Sequence, residues 1–295
     1  MHFTLICNKA SWEEKEIIKA ARKRNLECDI LLNHDLVLNL EKEKFDTDIF
    51  LQRSLSYFRG LYSTAILESQ GYRVINNFKC AQISGNKLLT TLELMKNKIP
   101  TPKAYCAFTK KSALEALEKL GYPAVIKPIV GSWGRLVALL KDRDFAVAVL
   151  EDRETLGQLY HKIFYMQEFI WKQARDIEMF VSDRSKSPRD IRVLTIGDKV
   201  VTAMYRYEII NDWRSTATLG ARSKSCKVTP EMEEISLKAS KVVDGEILGL
   251  DLMESDNGYL VQEINHTSGF KAASWTTGTD IAGRIVDYII EECKK

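Results

Sequence analysis

Asp251, Glu263 and Asn265 stand in a segment whose apolar alternation predicts a hairpin, Ile247–Met253 and Tyr259–Ile264 about Ser255-Asp256-Asn257-Gly258. Side chains alternate along a strand, so Glu263 and Asn265 share a face. With Asp256-Asn257-Gly258 as the loop, Asp251 lies directly opposite Glu263. Like charges so placed are destabilising on their own. Two carboxylates and an amide oxygen facing one point suit a hard cation such as Mg2+. A one-residue slip of register would instead put Asp251 elsewhere, on a solvated face.

A second constellation is basic. Lys127 ends the apolar run Ala124-Val125-Ile126-Lys127 and precedes Pro128, and Gly131-Ser132-Trp133-Gly134-Arg135 follows. Unpaired buried lysines are rare. Small residues let backbone N–H groups approach phosphate oxygens, and Lys127 and Arg135 supply charge. No Gly-Lys-Ser/Thr follows, so this is not a Walker A loop. Lys87 follows Ser84-Gly85-Asn86 at a helix start, where an anion can be shared, though a solvated first-turn lysine reads the same way. Met166-Gln167-Glu168-Phe169-Ile170 is an apolar strand with one acid, a core strand on its own terms. Arg192, Arg206 and Arg214 lie in one strand-rich region. Guanidinium forks bind phosphate and carboxylate bidentately, while scattered surface arginines are the ordinary alternative.

The elements that position these residues alternate. Strands are expected at Phe3–Cys7, Cys28–Leu32, Asp48–Leu51 and Arg73–Ile75, with helices at Trp12–Lys23 (N-cap Ser11) and Tyr57–Ser69. That alternation predicts a small parallel sheet covered by helices. A helix from about Gln82 to Lys96 ends before the breaker Ile99-Pro100-Thr101-Pro102. A β-α-β-β-α lobe follows: Ala104–Phe108, Lys111–Leu120 capped by Thr109, Ala124–Lys127, Leu136–Leu140 and Asp142–Glu151. From Phe164 strands dominate: Phe164–Ile170, Ile177–Val181, Ile191–Ile196 and Val200–Tyr207. Helices at Pro230–Val243 and Asp280–Cys293 bracket the hairpin.

Composition sets the outer limits. The 295 residues carry 43 basic and 40 acidic side chains, a net +3 that argues against a general nucleic-acid binder. Apolar residues make up 45% and charged residues 28%, an ordinary globular balance. No apolar run approaches the ~20 residues of a membrane span, and the N-terminus reads as a strand. Cys7, Cys28, Cys80, Cys106, Cys226 and Cys293 form no Cys-x-x-Cys pair, and the histidines lack metal-ligand spacing. Reduced thiols in a cytoplasmic protein are expected. The first strand is not followed by Gly-x-Gly-x-x-Gly, which disfavours a dinucleotide site.

In order, Gly85-Asn86-Lys87, Val125-Ile126-Lys127-Pro128, Gly131–Arg135, Gln167-Glu168-Phe169-Ile170, Arg189-Asp190-Ile191-Arg192, Asp251 and Glu263-Ile264-Asn265 resemble the ATP-grasp ligases. The likeness is to their RimK-like branch, and within it to the amino-group carrier protein ligases of lysine and arginine biosynthesis (LysX and ArgX types). It covers nearly the whole chain. Gly-Ser-Trp-Gly-Arg, Asn265-His266-Thr267 and Thr276-Thr277-Gly278 are its most specific parts.

The resemblance implies an α/β chain with an ATP-grasp fold: a parallel-sheet pre-ATP-grasp domain over 1–83, a central lobe over 84–163 and a C-terminal lobe over 164–295. It implies a ligase that phosphorylates the C-terminal glutamate side chain of a small acidic carrier protein, then joins glutamate or α-aminoadipate to it. Lys87, Lys127 and Arg135 would neutralise phosphates, with the Gly131–Arg135 loop, Gln167, Glu168, Phe169 and Ile170 around ATP. Asp251, Glu263 and Asn265 would hold Mg2+. Arg192 would contact ATP and stabilise the acyl phosphate. Arg206, Arg214, Asn265, Thr267, Gly269 and Phe270 would meet substrate. A homo-oligomer, dimer or tetramer, is expected, with neither nucleic-acid nor membrane partners. The alternatives are a glutamate ligase for a ribosomal protein, peptide or cofactor tail, and a non-catalytic nucleotide-binding module.

The pattern also departs from its relatives. Trp171–Pro188 is longer, and Arg175-Asp176-Ile177-Glu178 half repeats Arg189-Asp190-Ile191-Arg192, so the functional arginine is assigned to the second copy. Thr216 and Leu219 replace asparagine and arginine. Ser268-Gly269-Phe270 departs from an aminoadipate-type Met-Glu-Phe, while Trp213-Arg214 and Leu219-Gly220 look glutamate-type. Glutamate, aminoadipate or both therefore remain open as the amine.

Overall fold

Our computed structural model describes residues 1–132, 134–170, 189–207 and 222–295. The expected strand Ile177–Val181 and residues Trp133, Glu178, Arg214, Thr216 and Leu219 lie outside them.

Strands β1 (His2–Cys7), β2 (Glu27–Leu32), β3 (Ile49–Gln52) and β4 (Arg73–Ile75) form a parallel sheet in the order β2-β1-β3-β4. Helix α1 (Trp12–Lys23) starts at Ser11 in a capping box with Glu14, and α2 is Tyr57–Ser69. The single helix expected from Gln82 to Lys96 is two: α3 (Phe78–Ser84) and α4 (Lys87–Lys96). The Tyr57 ring packs on Gly85 so closely that an added Cβ would lie 2.0 Å from it. Asn86 then caps α4, its Oδ1 accepting from Leu88 N at 3.0 Å and Leu89 N at 3.2 Å.

Strands β5 (Ala104–Ala107), β6 (Ala124–Lys127), β7 (Ala138–Leu140) and β8 (Phe164–Glu168) form an antiparallel sheet in the order β5-β8-β6-β7. Helices α5 (Lys110–Leu120) and α6 (Arg143–Leu156) cover it. Strand β8, expected to open the C-terminal lobe, is instead an inner strand of this sheet, between β5 and β6, so a lobe boundary at 163/164 cuts the sheet. Its side chains explain the placement: Phe164 and Met166 are fully buried in this lobe's own core, with Leu117, Ile126, Leu140 and Leu150.

The third sheet, β11-β10-β9-β12-β13, is antiparallel and comprises β9 (Arg189–Ile196), β10 (Lys199–Tyr207), β11 (Ser223–Ser225), β12 (Ile247–Ser255) and β13 (Gly258–Asn265). Helix α7 (Pro230–Val242), with α3 and α4, covers one face through Ile191, Val193, Leu250, Leu252 and Val261. On the other face Leu194, Ile196 and Met204 join Phe3, Leu5, Ile49 and Leu51 of the N-terminal sheet in one core. Helices α8 (Lys271–Thr277) and α9 (Ile281–Glu292) fill that core with Ala273, Ile285 and Ile289.

Candidate active site

Alternation along β9, β10 and β12 sorts the C-terminal sheet by chemistry. Odd residues of β9 and even residues of β12 pack under α7. Asp190, Arg192, Arg206, Asp251 and Met253 point the other way and line a cavity of about 500 Å³. That face is apolar where it meets the N-terminal sheet and charged where it meets the cavity.

The β12–β13 register is the expected one at the site, but it is reached differently. The hairpin turns on Asp256-Asn257 alone, with Ser255 opposite Gly258. Unbroken, that tighter turn would leave Asp251 facing Gln262. A bulge between the Asp251–Glu263 and Leu252–Val261 pairs adds one residue. Consequently Gln262 and Glu263 both line the cavity, while Val261 and Ile264 are both in the core under α7.

The two carboxylates are neutralised by cations. Arg192 donates from Nε to Asp251 Oδ1 at 2.5 Å and from Nη2 to Oδ2 at 3.2 Å, and Arg206 Nη2 lies 3.0 Å from Asp251 Oδ1. Burial alone would raise the Asp251 pKa. Arg192 and Arg206 outweigh it and hold the carboxyl well below its ordinary range. Arg206 also donates to Asp190 at 2.7 Å. Burial alone would depress its own pKa, but Asp190 and Asp251 outweigh that and raise it. Glu263 pairs with Lys87 Nζ at 3.0 Å. Asn265 donates from Nδ2 to Gly249 O at 3.3 Å, which turns its amide oxygen into the atom available to a ligand.

Those groups fit a hard cation: an ionised carboxylate, a second one opposite and an amide oxygen. Among the described residues no three His, Cys, Asp or Glu side chains cluster as a metal site, so the candidate set is two carboxylates and an amide.

Lys127 faces them from the central lobe. It is 7% exposed, and its Nζ donates to Gln167 Oε1 at 2.7 Å. Gln167 Nε2 donates to Tyr165 OH at 3.2 Å, and that hydroxyl bonds Thr91 Oγ1 at 2.8 Å. Gln167, expected around ATP, lines the cavity but uses its side chain to support Lys127. Lys87 is not a solvated lysine. Its N donates to Ile129 O at 2.8 Å and its Nζ to Gly131 O at 2.8 Å, so it fastens the glycine loop to the face carrying Glu263. In that loop Gly134 has φ +66°, where glycine is favoured, and Arg135 N donates to Ser132 O at 3.3 Å. Glu168 Oε1 accepts from Lys103 N at 2.6 Å, and Phe169 and Ile170 complete that wall.

Of the expected substrate residues, Arg206, Asn265, Thr267 and Gly269 line the cavity. Phe270 does not. It is 2% exposed in the shared core, edge-on to Trp12 at 5.9 Å and beneath Arg53 at 5.6 Å. Arg53 itself was not anticipated. It is buried, donates from Nε to Glu14 at 3.2 Å and from Nη1 to Ser268 O at 2.9 Å. Ser268 Oγ in turn accepts from Arg192 Nη1 at 2.9 Å. A basic residue ending the apolar run Ile49-Phe50-Leu51-Gln52-Arg53 was the available signal. His266 is half-buried, and burial with the nearby Arg53 charge lowers its pKa to about 4, so it is neutral at pH 7. All six cysteines are free, and burial raises the Cys7 thiol to about 11 and Cys28 and Cys80 to about 12.

This geometry can be set beside known proteins. The RimK-like ATP-grasp domain matches residues 84–289, and the LysX preATP-grasp domain matches residues 4–83. The chain belongs to the RimK-like ATP-grasp family. It is 36% identical to the α-aminoadipate–LysW ligase LysX of Saccharolobus solfataricus, over 96% of this chain and 99% of that one. It is 32% identical to the glutamate–LysW ligase ArgX of Sulfurisphaera tokodaii, over 100% of both. The crystal structure of a RimK domain ATP-grasp protein from Sphaerobacter thermophilus superposes with a TM-score of 0.77 at 19% identity, covering 98% of this chain and 100% of that one. Membership of the ATP-grasp family implies ATP as the nucleotide. No helix among the described residues is long and apolar enough to cross a membrane.

Proposed function

We propose that the chain is an ATP- and Mg2+-dependent carboxylate–amine ligase. It joins the α-amino group of glutamate or α-aminoadipate to the C-terminal glutamate side chain of an acidic LysW-type carrier protein, in cytoplasmic lysine or arginine biosynthesis. The observation that carries this reading is the charged face of β9, β10, β12 and β13 set across the cavity from Lys127 and the glycine loop. Full-length likeness to ligases of both amino acids supports it.

Two displacements make the amide. A carrier carboxylate oxygen attacks the γ-phosphorus of ATP, the bond to the bridging oxygen breaks, and ADP leaves. The free amine then attacks the acyl carbon, the carbon–oxygen bond to phosphate breaks, and the amine proton passes to solvent. Phosphoryl transfer asks a protein mainly for positioning and charge stabilisation. Lys127, oriented by Gln167, Tyr165 and Thr91, neutralises phosphate oxygens without needing to reorganise. Lys87 and Arg135 add charge from the loop side. Arg192 is held in plane by Asp251 and Ser268, ready to stabilise negative charge at the acyl centre. Asp251, Glu263 and the Asn265 oxygen would hold Mg2+, which supplies charge neutralisation at the phosphates when bound. Neither displacement asks for a catalytic histidine, and His266 is neutral.

The carrier is the acidic partner, so added salt slows its encounter with the basic groups at the cavity. ADP release tests the reading. It should require carrier together with glutamate or aminoadipate; ATP binding with no turnover on either would contradict it.

A further inference from the structure

Gly249 leaves a gap in strand β12. Alternate residues of a strand share a face, so Gly249 lies on the face of Asp251 and Met253, both of which line the cavity. Ser268 fills the space where its side chain would be. A Cβ added to Gly249 would sit 2.2 Å from Ser268 Oγ and 2.6 Å from Ser268 Cβ. Glycine inside a strand often marks such a close approach. Arg192 borders the same space, its Cδ 3.4 Å from that Cβ position.

Ser268 is anchored from the other side. Its carbonyl oxygen accepts from Arg53 Nη1 at 2.9 Å, and Arg53 Nε donates to Glu14 Oε1 at 3.2 Å. Both Arg53 and Glu14 are buried. The N-terminal domain thus fixes the backbone of Ser268, and Gly249 admits its side chain. The hydroxyl then accepts from Arg192 Nη1 at 2.9 Å.

Counting donors shows what that bond does. A guanidinium has five N–H groups. Asp251 takes one from Nε and one from Nη2, and Ser268 takes one from Nη1. Against the described residues, one N–H on each Nη is left. Two such donors can grip two oxygens of a carboxylate or phosphate. Asp251 pins one edge of the guanidinium, and Ser268 holds the nitrogen that Asp251 does not touch.

We propose that Ser268 is a positioning residue for Arg192, and that position 249 is glycine so that Ser268 can reach it. This rests on the ligase reading, in which Arg192 stabilises charge at the acyl centre. The test is a mutant cycle read in kcat and KM with carrier and amino acid, in ATP affinity and in melting temperature. Ser268→Ala should lower kcat about 10-fold, with KM, ATP affinity and melting temperature near wild type. In an Arg192→Ala background the same change should cost nothing further, because Ser268 acts through Arg192. Gly249→Ala should lower both kcat and melting temperature. Gly249→Ala combined with Ser268→Gly removes the clash, so it should restore melting temperature but not kcat. Should the Gly249 variants not fold, the Ser268–Arg192 cycle decides alone. A wild-type kcat in Ser268→Ala, an equal loss in the Arg192→Ala background, or a combined variant that regains kcat would overturn the positioning role and leave the ligase. A wild type that makes no amide with either amino acid would overturn the ligase reading and the positioning role with it.

Discussion

The C-terminal sheet meets its two neighbours in opposite ways. Against the N-terminal sheet it shares one apolar core, from Phe3 and Leu51 to Leu194, Met204 and Phe270. That junction is locked at its edge by Asn76, which is buried. Its Nδ2 donates to Ile247 O at 2.7 Å and His266 O at 2.8 Å, and its Oδ1 accepts from Glu246 N at 2.8 Å and Ile247 N at 3.0 Å. The β5–β8 sheet has a core of its own. Helix α4, packed through Leu94 into the core of the C-terminal sheet, meets it through polar contacts: Lys87 Nζ with Gly131 O, and Thr91 with Tyr165. One junction fixes Arg192, Asp251 and Ser268 on a single body. The other is lined by the cavity and is bridged by hydrogen bonds. Arg192 and Asp251 thus sit on the body with the shared core, and Lys127 on the lobe with a core of its own.

Substitutions on either side should separate these roles. Phe270→Ala empties the shared core and should cost about 3–5 kcal/mol of global stability by chemical denaturation. A loss confined to substrate affinity would break the comparison. Arg192→Ala should lower turnover about 10²–10³-fold, far more than the accompanying loss of stability, since Arg206 still pairs with the buried Asp251. Asn76→Ala strands four backbone groups and should cost about 1–3 kcal/mol, seen in denaturation with ATP affinity little changed. Thr91→Val removes one bond from the Lys127 support and should cost only about 1 kcal/mol. Its mark is a weaker ATP affinity by calorimetry that exceeds any loss in stability, the reverse of Asn76→Ala.

Much of this was legible in the chain. Ser11 and Thr109 announce their helices because caps are local chemistry. The facing of Asp251 and Glu263 was also legible, although the bulge beside Gln262 was not: a longer turn and a tighter turn with a bulge give the same facing. Gly85 and Asn86 broke an expected single helix because the cause is distant, the Tyr57 ring on Gly85. Strand β8 was visible as a strand, but periodicity does not say which sheet a strand joins. Phe270 followed a motif residue into the core, since adjacency to Thr267 says nothing of which way a side chain turns. The Glu14–Arg53–Ser268 link joins residues 39 and 215 positions apart, beyond the reach of local patterning.

The central claim is the reaction itself. The chain, ATP and Mg2+ are incubated with an acidic LysW-type carrier and competing glutamate and α-aminoadipate, and the intact carrier is weighed by mass spectrometry. The account predicts a gain of one amino-acid residue, lost when the carrier's terminal glutamate is removed, and the mass of the adduct names the amine. A carrier of unchanged mass with both amino acids, from protein that still binds ATP, would contradict it.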